Sequence, residues 1–172
     1  MPATRSETPS SIETGAVAAA RSPQADTLLQ RLYAWGLSFG ESRALVRANL
    51  GAPSSVATAA SDNPYTPTTD TVTLMTYPHL EFLLVRAGAD GREFLTNLSL
   101  TGNRSSFPID VRFGTTTQAR TLQLLGPPTN TQVFGDTTVV GFGVPNDETG
   151  EAIQFYFLTD TLRKMRWVFY VD

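Results

Sequence analysis

Apolar residues recur at helical spacing in three segments of the chain. In the first segment one helical face carries Leu28, Leu29, Leu32 and Trp35. This spacing predicts helices over residues 26–35, 41–50 and 115–125. Glycine and then proline follow the second and third segments, which is typical of helix ends. The predicted N-terminal caps are Asp26 for the first helix and two capping-box pairs for the others, Ser38 with Glu41 and Thr115 with Gln118.

Six other segments are rich in β-branched and aromatic residues. They predict strands over 72–77, 80–85, 94–100, 137–142, 153–158 and 162–171. In the last strand Trp167 and Phe169 alternate with residues of the opposite face, which are Lys164, Arg166, Val168 and Tyr170. The polar segment 54–69 lacks such a pattern, and we expect it to be a loop.

The helix and strand pattern occurs twice. Phe-Gly, a capped helix and Leu-Gly-x-Pro begin at Phe39 and again at Phe113, and three predicted strands follow each copy. This order predicts an α+β fold of two tandem repeats. Each repeat is a helix, or a helix pair, packed on a small antiparallel sheet of three to four strands. The repeats span 25–102 and 111–172, joined by a linker at 103–110.

The net charge and the lack of cysteine argue against two classes of function. The chain has a net charge of −3 and no cysteine. The charge argues against non-specific nucleic-acid binding, which needs an excess of cations, and the lack of cysteine excludes thiolate chemistry. Residues 1–24 are rich in Ser, Thr, Pro and Ala, and we expect a disordered tail or tether. No apolar run is long enough to span a bilayer. Either the protein is cytosolic, or the chain is a mature form whose signal segment was removed.

The repeated pattern resembles the BamE/SmpA/OmlA type of small bacterial outer-membrane lipoprotein. In tandem it resembles the β-lactamase-inhibitory-protein fold. The matching positions are Phe39, Gly40, Leu50, Gly51 and Pro53, and then Phe113, Gly114, Leu125, Gly126 and Pro128. The resemblance implies a secreted or envelope protein that binds other proteins and has no catalytic activity. These lipoproteins carry a lipidated cysteine at the mature N-terminus, which this chain lacks, so a lipid anchor would belong to the native precursor.

The sequence contains no motif typical of a catalytic site, a metal site or a nucleotide-binding site. His79 is the only histidine, and no nucleophile motif accompanies it. Asp147, Glu148 and Glu151 cluster in a turn, but their spacing does not match an EF-hand loop. Gly141-Phe142-Gly143 lacks the third glycine and the helix of a nucleotide-binding loop. We therefore predict no catalytic residue, no metal site and no cofactor.

A protein-binding surface is the better hypothesis. If helices cover one face of the sheet, Arg166, Val168 and Tyr170 lie on the open face, together with Glu81, Leu83 and Val85. In the alternative, both faces are buried between the repeats. Arginine and tyrosine are enriched in interface hot spots. The remaining candidate contacts are Tyr65, Tyr77 and His79.

We expect the partner to be another protein that contacts the open face and the loops 54–69 and 143–150. The first expectation is an inhibitor or immunity protein for a secreted enzyme or toxin, located in the periplasm or at the inner face of the outer membrane. The alternative is a BamE-like scaffold lipoprotein of outer-membrane assembly. An enzyme is the least favoured class.

Overall fold

A computed structural model describes residues 20–147 and 149–169 of the chain. Residues 1–19 of the tail predicted over 1–24 lie outside this part, and so does the candidate contact Tyr170. Three helices are present in it: α1 Pro23–Leu37, α2 Arg43–Leu50 and α3 Gln118–Leu125. Its eight strands are β1 Ser55–Asp62, β2 Thr69–Tyr77, β3 Leu80–Arg86, β4 Glu93–Leu100, β5 Asn130–Phe134, β6 Thr137–Gly143, β7 Ala152–Leu158 and β8 Thr161–Val168.

The helices lie where the apolar spacing predicts them, but their caps differ. Ser22 caps α1, and Pro23 occupies its first turn, so this helix begins three residues before Asp26 and includes the last two residues of the predicted tail. Ser42 caps α2 by accepting a hydrogen bond from the Leu45 backbone N–H. Thr117 caps α3 by accepting one from the Arg120 backbone N–H. The predicted capping boxes were therefore wrong, because α2 and α3 begin later than predicted, closer to their hydrophobic runs.

The strands form one open antiparallel sheet in the order β1-β2-β3-β4-β8-β7-β6-β5. The α+β class and the six predicted strands are confirmed. The loop predicted at 54–69 is wrong over Ser55–Asp62, which pairs with β2 along its whole length, and β5 was also missed. Both are edge strands in which every residue is exposed. No alternation of buried and exposed positions marks them, since backbone pairing alone makes them strands.

Each half of the sheet, β1–β4 and β5–β8, contains one β-bulge. The β3–β4 register shifts between Leu83 and Leu84, which leaves Thr96 unpaired, and the β7–β8 register shifts between Tyr156 and Phe157, which leaves Arg163 unpaired. The halves meet where β4 pairs with β8.

The hydrophobic core lies between the helices and one face of the sheet. Trp167 is fully buried there and donates its indole N–H to the Leu32 carbonyl oxygen of α1 at 3.0 Å. The Trp35 ring lies 5.5 Å from it, and Phe169 lies 5.6 Å from Tyr33. The prediction that Trp167 and Phe169 face the helices is thus confirmed. The other large, fully buried core side chains include Phe82, Leu84, Leu98, Phe142, Phe155 and Phe157.

Candidate functional site

The sheet face opposite the helices is the candidate site, and we call it the open face. Antiparallel partners point to the same side, so the register assigns each strand position to a face. Arg166 and Val168 alternate with the buried Met165 and Trp167, and they lie on the open face as predicted. The open face also contains Glu81, Leu83 and Val85, again as predicted, together with Val72, Leu74, Asn97, Ser99, Gln154, Tyr156 and Lys164.

Within the described residues, no helix covers the open face. Each of the three helices buries side chains in the core on the other side of the sheet. Leu74 on the open face is 36% exposed, whereas its β2 neighbour Met75 on the helix side is fully buried. The alternative in which both faces are buried between the repeats therefore does not hold here, because the two halves lie side by side in one sheet.

A row of polar residues crosses the middle of the open face. The register aligns Thr76, Glu81, Ser99, Arg166 and Gln154 across five neighbouring strands. An apolar patch lies on either side of this polar row. The first patch consists of Val72, Leu74, Leu83 and Val85, and the second consists of Phe134, Val139, Tyr156 and Leu158. The open face thus combines apolar side chains with tyrosine and arginine, residue types that are enriched in protein interfaces.

Two cations on β8 are held in place by their neighbours. A guanidinium nitrogen of Arg166 donates to the Asn97 side-chain oxygen at 2.5 Å. The Lys164 ammonium lies 5.6 Å from the centre of the Tyr156 ring, within the range of a cation–π contact. The Tyr156 hydroxyl in turn donates to Gln154 at 2.9 Å. Both cations are thus oriented before any partner arrives, which reduces the entropy lost on binding.

Three of the predicted contacts do not lie on the open face of a strand. Tyr77 faces the helices and is only 6% exposed, because its hydroxyl donates to the Gly51 carbonyl oxygen and its ring packs on Phe82. Burial also raises the pKa of Tyr77. It belongs to the core, so its assignment as a surface contact is corrected. His79 is exposed in the β2–β3 turn at φ 63°, where its carbonyl oxygen accepts a hydrogen bond from the Thr101 N–H.

Tyr65 lies in the β1–β2 loop and is 91% exposed. It borders an open cleft of about 410 Å³ whose wall includes Val85 and Phe94. The β6–β7 loop lies beyond the Ala152–Val168 pair, which the register places level with Leu74 in the middle of β2. The β1–β2 loop lies beyond Thr69, the first residue of β2, so the register does not place the two predicted contact loops at the same level.

The acidic turn after β6 has a structural explanation. The Asp147 carboxylate accepts hydrogen bonds from the Thr149 hydroxyl and backbone N–H and from the Glu151 N–H. These bonds lower the pKa of Asp147. Glu148 lies outside the described residues. In the described part of the chain, no three His, Cys, Asp or Glu side chains gather closely enough to hold a metal ion.

The sequence pattern did not predict Tyr156, Gln154 or Asn97 as residues of the open face. The signal was present for the first two, since they alternate with the apolar residues Ile153, Phe155 and Phe157 along β7. Asn97 was not predictable in this way, because the bulge at Thr96 shifts the alternation of β4.

No protein-family model, curated protein or solved structure matches this chain. Across residues 20–147 and 149–169, no helix is both long enough and apolar enough to cross a bilayer.

Proposed function

We propose that this chain is a non-catalytic protein that binds another protein through the open face. The observation that carries the proposal is the open face itself: two apolar patches separated by a polar row, with Lys164 and Arg166 held in place at its centre. Large apolar side chains beside pre-oriented arginine and tyrosine are the composition of interface hot spots.

We also propose that the fold arose by tandem duplication and is similar to the β-lactamase-inhibitory-protein arrangement. The two bulges support this origin. Aligning Leu95 with Leu162, next to each bulge, gives a separation of 67 positions (162 − 95), which also relates Leu98 to Met165 and Leu100 to Trp167 (165 − 98 and 167 − 100).

The pairing between the halves fits the same relation. Leu98 pairs with Trp167 and Leu100 pairs with Met165, so exchanging the two halves converts one pair into the other. The Ser99–Arg166 pair maps onto itself. A two-fold axis through this pair would relate the halves, as in an isologous dimer.

Within the protein-binding class, we propose an inhibitor or immunity protein that blocks a secreted enzyme or toxin in the periplasm or at the inner face of the outer membrane. This assignment rests on the resemblance of the repeated Leu-Gly-x-Pro pattern. A scaffold subunit of outer-membrane assembly is the alternative, and it predicts a captured partner whose activity does not change on binding.

Affinity capture from an envelope extract of the source organism tests the proposal. The wild-type chain is compared with Leu83→Arg on the open face and with Leu45→Arg on α2, which is 53% exposed on the helix side. Both variants add the same charge, and melting curves verify that both are folded. We expect Leu83→Arg to weaken binding of the captured partner by roughly 30-fold, typical of a hot-spot loss of about 2 kcal/mol, and Leu45→Arg to leave it unchanged.

Failure to recover any partner at micromolar concentration, or equal recovery by all three chains, would contradict binding through the open face. Loss of enzymatic or toxic activity of the captured partner separates inhibition from scaffolding. A toxin or effector gene next to this gene is an independent observation in favour of immunity.

A further inference from the structure

Lys164 and Arg166 are the feature of the open face whose charge is not matched locally. Among the described residues, neither cation lies within 4.0 Å of a carboxylate oxygen. Arg166 bonds instead to the neutral Asn97, and Lys164 lies beside the Tyr156 ring. Their orientation therefore comes from neutral neighbours, and both positive charges remain available to a binding partner.

A hollow next to these cations gives an incoming group a place to sit. Its volume is about 160 Å³, and Leu74, Leu83 and Ser99 line it together with the two cations. Lys164 and Arg166 are only partly exposed, so a carboxylate entering the hollow would be partly removed from water. A charge pair in such a setting is stronger than one on a fully exposed surface.

Among the described residues, Glu81 is the only acidic one that lines this hollow. It is separated from Arg166 by one strand, with Ser99 between them in the polar row. Two cations against one carboxylate leave the hollow with a net positive charge. The chain as a whole carries −3, so this local charge opposes the overall balance.

We infer that the centre of the open face binds an acidic side chain of a protein partner, with the carboxylate received by Lys164 and Arg166 and the flanking residues packed on the apolar patches. The inference rests on the proposed protein-binding function and names the chemistry of the partner at that same surface. It commits to a partner segment in which an aspartate or glutamate stands next to an apolar residue.

Peptide titration tests this chemistry without knowledge of the partner. The probes are acetyl-Gly-Glu-Phe-Glu-Gly-amide and its neutral counterpart acetyl-Gly-Gln-Phe-Gln-Gly-amide, which has nearly the same shape. Lys164 is the only lysine of the chain, so lysine labelled with ¹³C at the ε-carbon gives a single side-chain NMR signal. Backbone amide signals of the full chain report on the other open-face residues.

The acidic peptide is expected to shift the Lys164 signal and the Asn97 and Tyr156 amide signals, with saturation in the millimolar range. The neutral peptide should bind about fivefold more weakly, and Lys164→Gln or Arg166→Gln should weaken the acidic peptide about threefold. Glu81→Gln is the opposite control, since it removes a competing carboxylate and should tighten binding of the acidic peptide about twofold. Lys164→Gln keeps the Arg166–Asn97 bond, so it remains informative if Arg166→Gln disturbs the sheet.

Equal binding of the two peptides, shifts confined to other surfaces, or the absence of any shift overturns the inference. If Leu83→Arg still weakens partner capture while the peptides bind equally, the open face binds proteins without an acidic contact and only this inference fails. If both experiments fail, the proposed function fails as well.

Discussion

Replacing Gly36 with alanine should destabilise the fold, although alanine is the better helix former. Gly36 lies in α1 directly over Trp167. A Cβ atom at this position would lie 2.8 Å from the Trp167 Cδ1 atom and 2.9 Å from its Nε1 atom, which is closer than carbon and nitrogen atoms pack. The indole ring cannot move away easily, because it is fully buried, contacts Trp35 and donates a hydrogen bond to Leu32.

Two effects of opposite sign set the magnitude. Glycine to alanine in a helix gains about 0.5–1 kcal/mol of stability from reduced backbone entropy. Forcing an extra methyl group into a packed core costs about 1–3 kcal/mol. The steric cost is the larger, so the free energy of unfolding should fall by about 1 kcal/mol, which lowers the urea midpoint by roughly 0.5 M at a typical denaturant slope.

Urea unfolding followed by tryptophan fluorescence measures this change. Ala34→Gly is the matched control, because Ala34 is exposed two residues earlier in α1 and reports the helix-propensity effect alone. Phenylalanine at position 167 gives Gly36→Ala more room, so the double variant Gly36→Ala with Trp167→Phe should lose less stability than the sum of the single variants. A Gly36→Ala chain as stable as the wild type would refute the close packing of α1 on Trp167.

Two further predictions concern a helix cap and a buried phenol. Thr117→Ala should lower the free energy of unfolding by about 1 kcal/mol, because the Arg120 N–H loses the hydroxyl oxygen that accepts its hydrogen bond. Thr115→Ala is the control and should change the free energy of unfolding by less than about 0.5 kcal/mol. Equal losses for the two variants in urea unfolding would contradict the cap. Burial and the Glu151 carboxylate raise the pKa of Tyr33 well above its ordinary value, so its contribution to stability is complete below about pH 10 and is lost as the pH rises further. The free energy of unfolding of Tyr33→Phe should therefore fall less than that of the wild type between neutral pH and about pH 11. Identical changes in the two proteins would argue against a raised pKa of Tyr33.

The candidate site was predictable only where a strand alternates regularly. Alternation along β8 placed Arg166 and Val168 opposite Trp167, and the register agrees. Tyr77 was misassigned because its position at a strand end, next to a proline, is equally typical of a surface turn. Its burial depends on the Gly51 carbonyl, which is 26 residues away and is brought near by the packing of α2.

The amino-acid sequence by itself determined the three helices, the six inner strands and the choice of their inward faces, because burial against a single core leaves a periodic apolar pattern. Tertiary structure alone decided the rest. The edge strands β1 and β5 exist through backbone hydrogen bonds to β2 and β6, which require no particular side chains. The pairing of β4 with β8 joins the halves into one sheet, and it brings Glu81, Ser99 and Arg166 into one row from distant parts of the chain. That row is a product of strand register, which local sequence patterns do not encode.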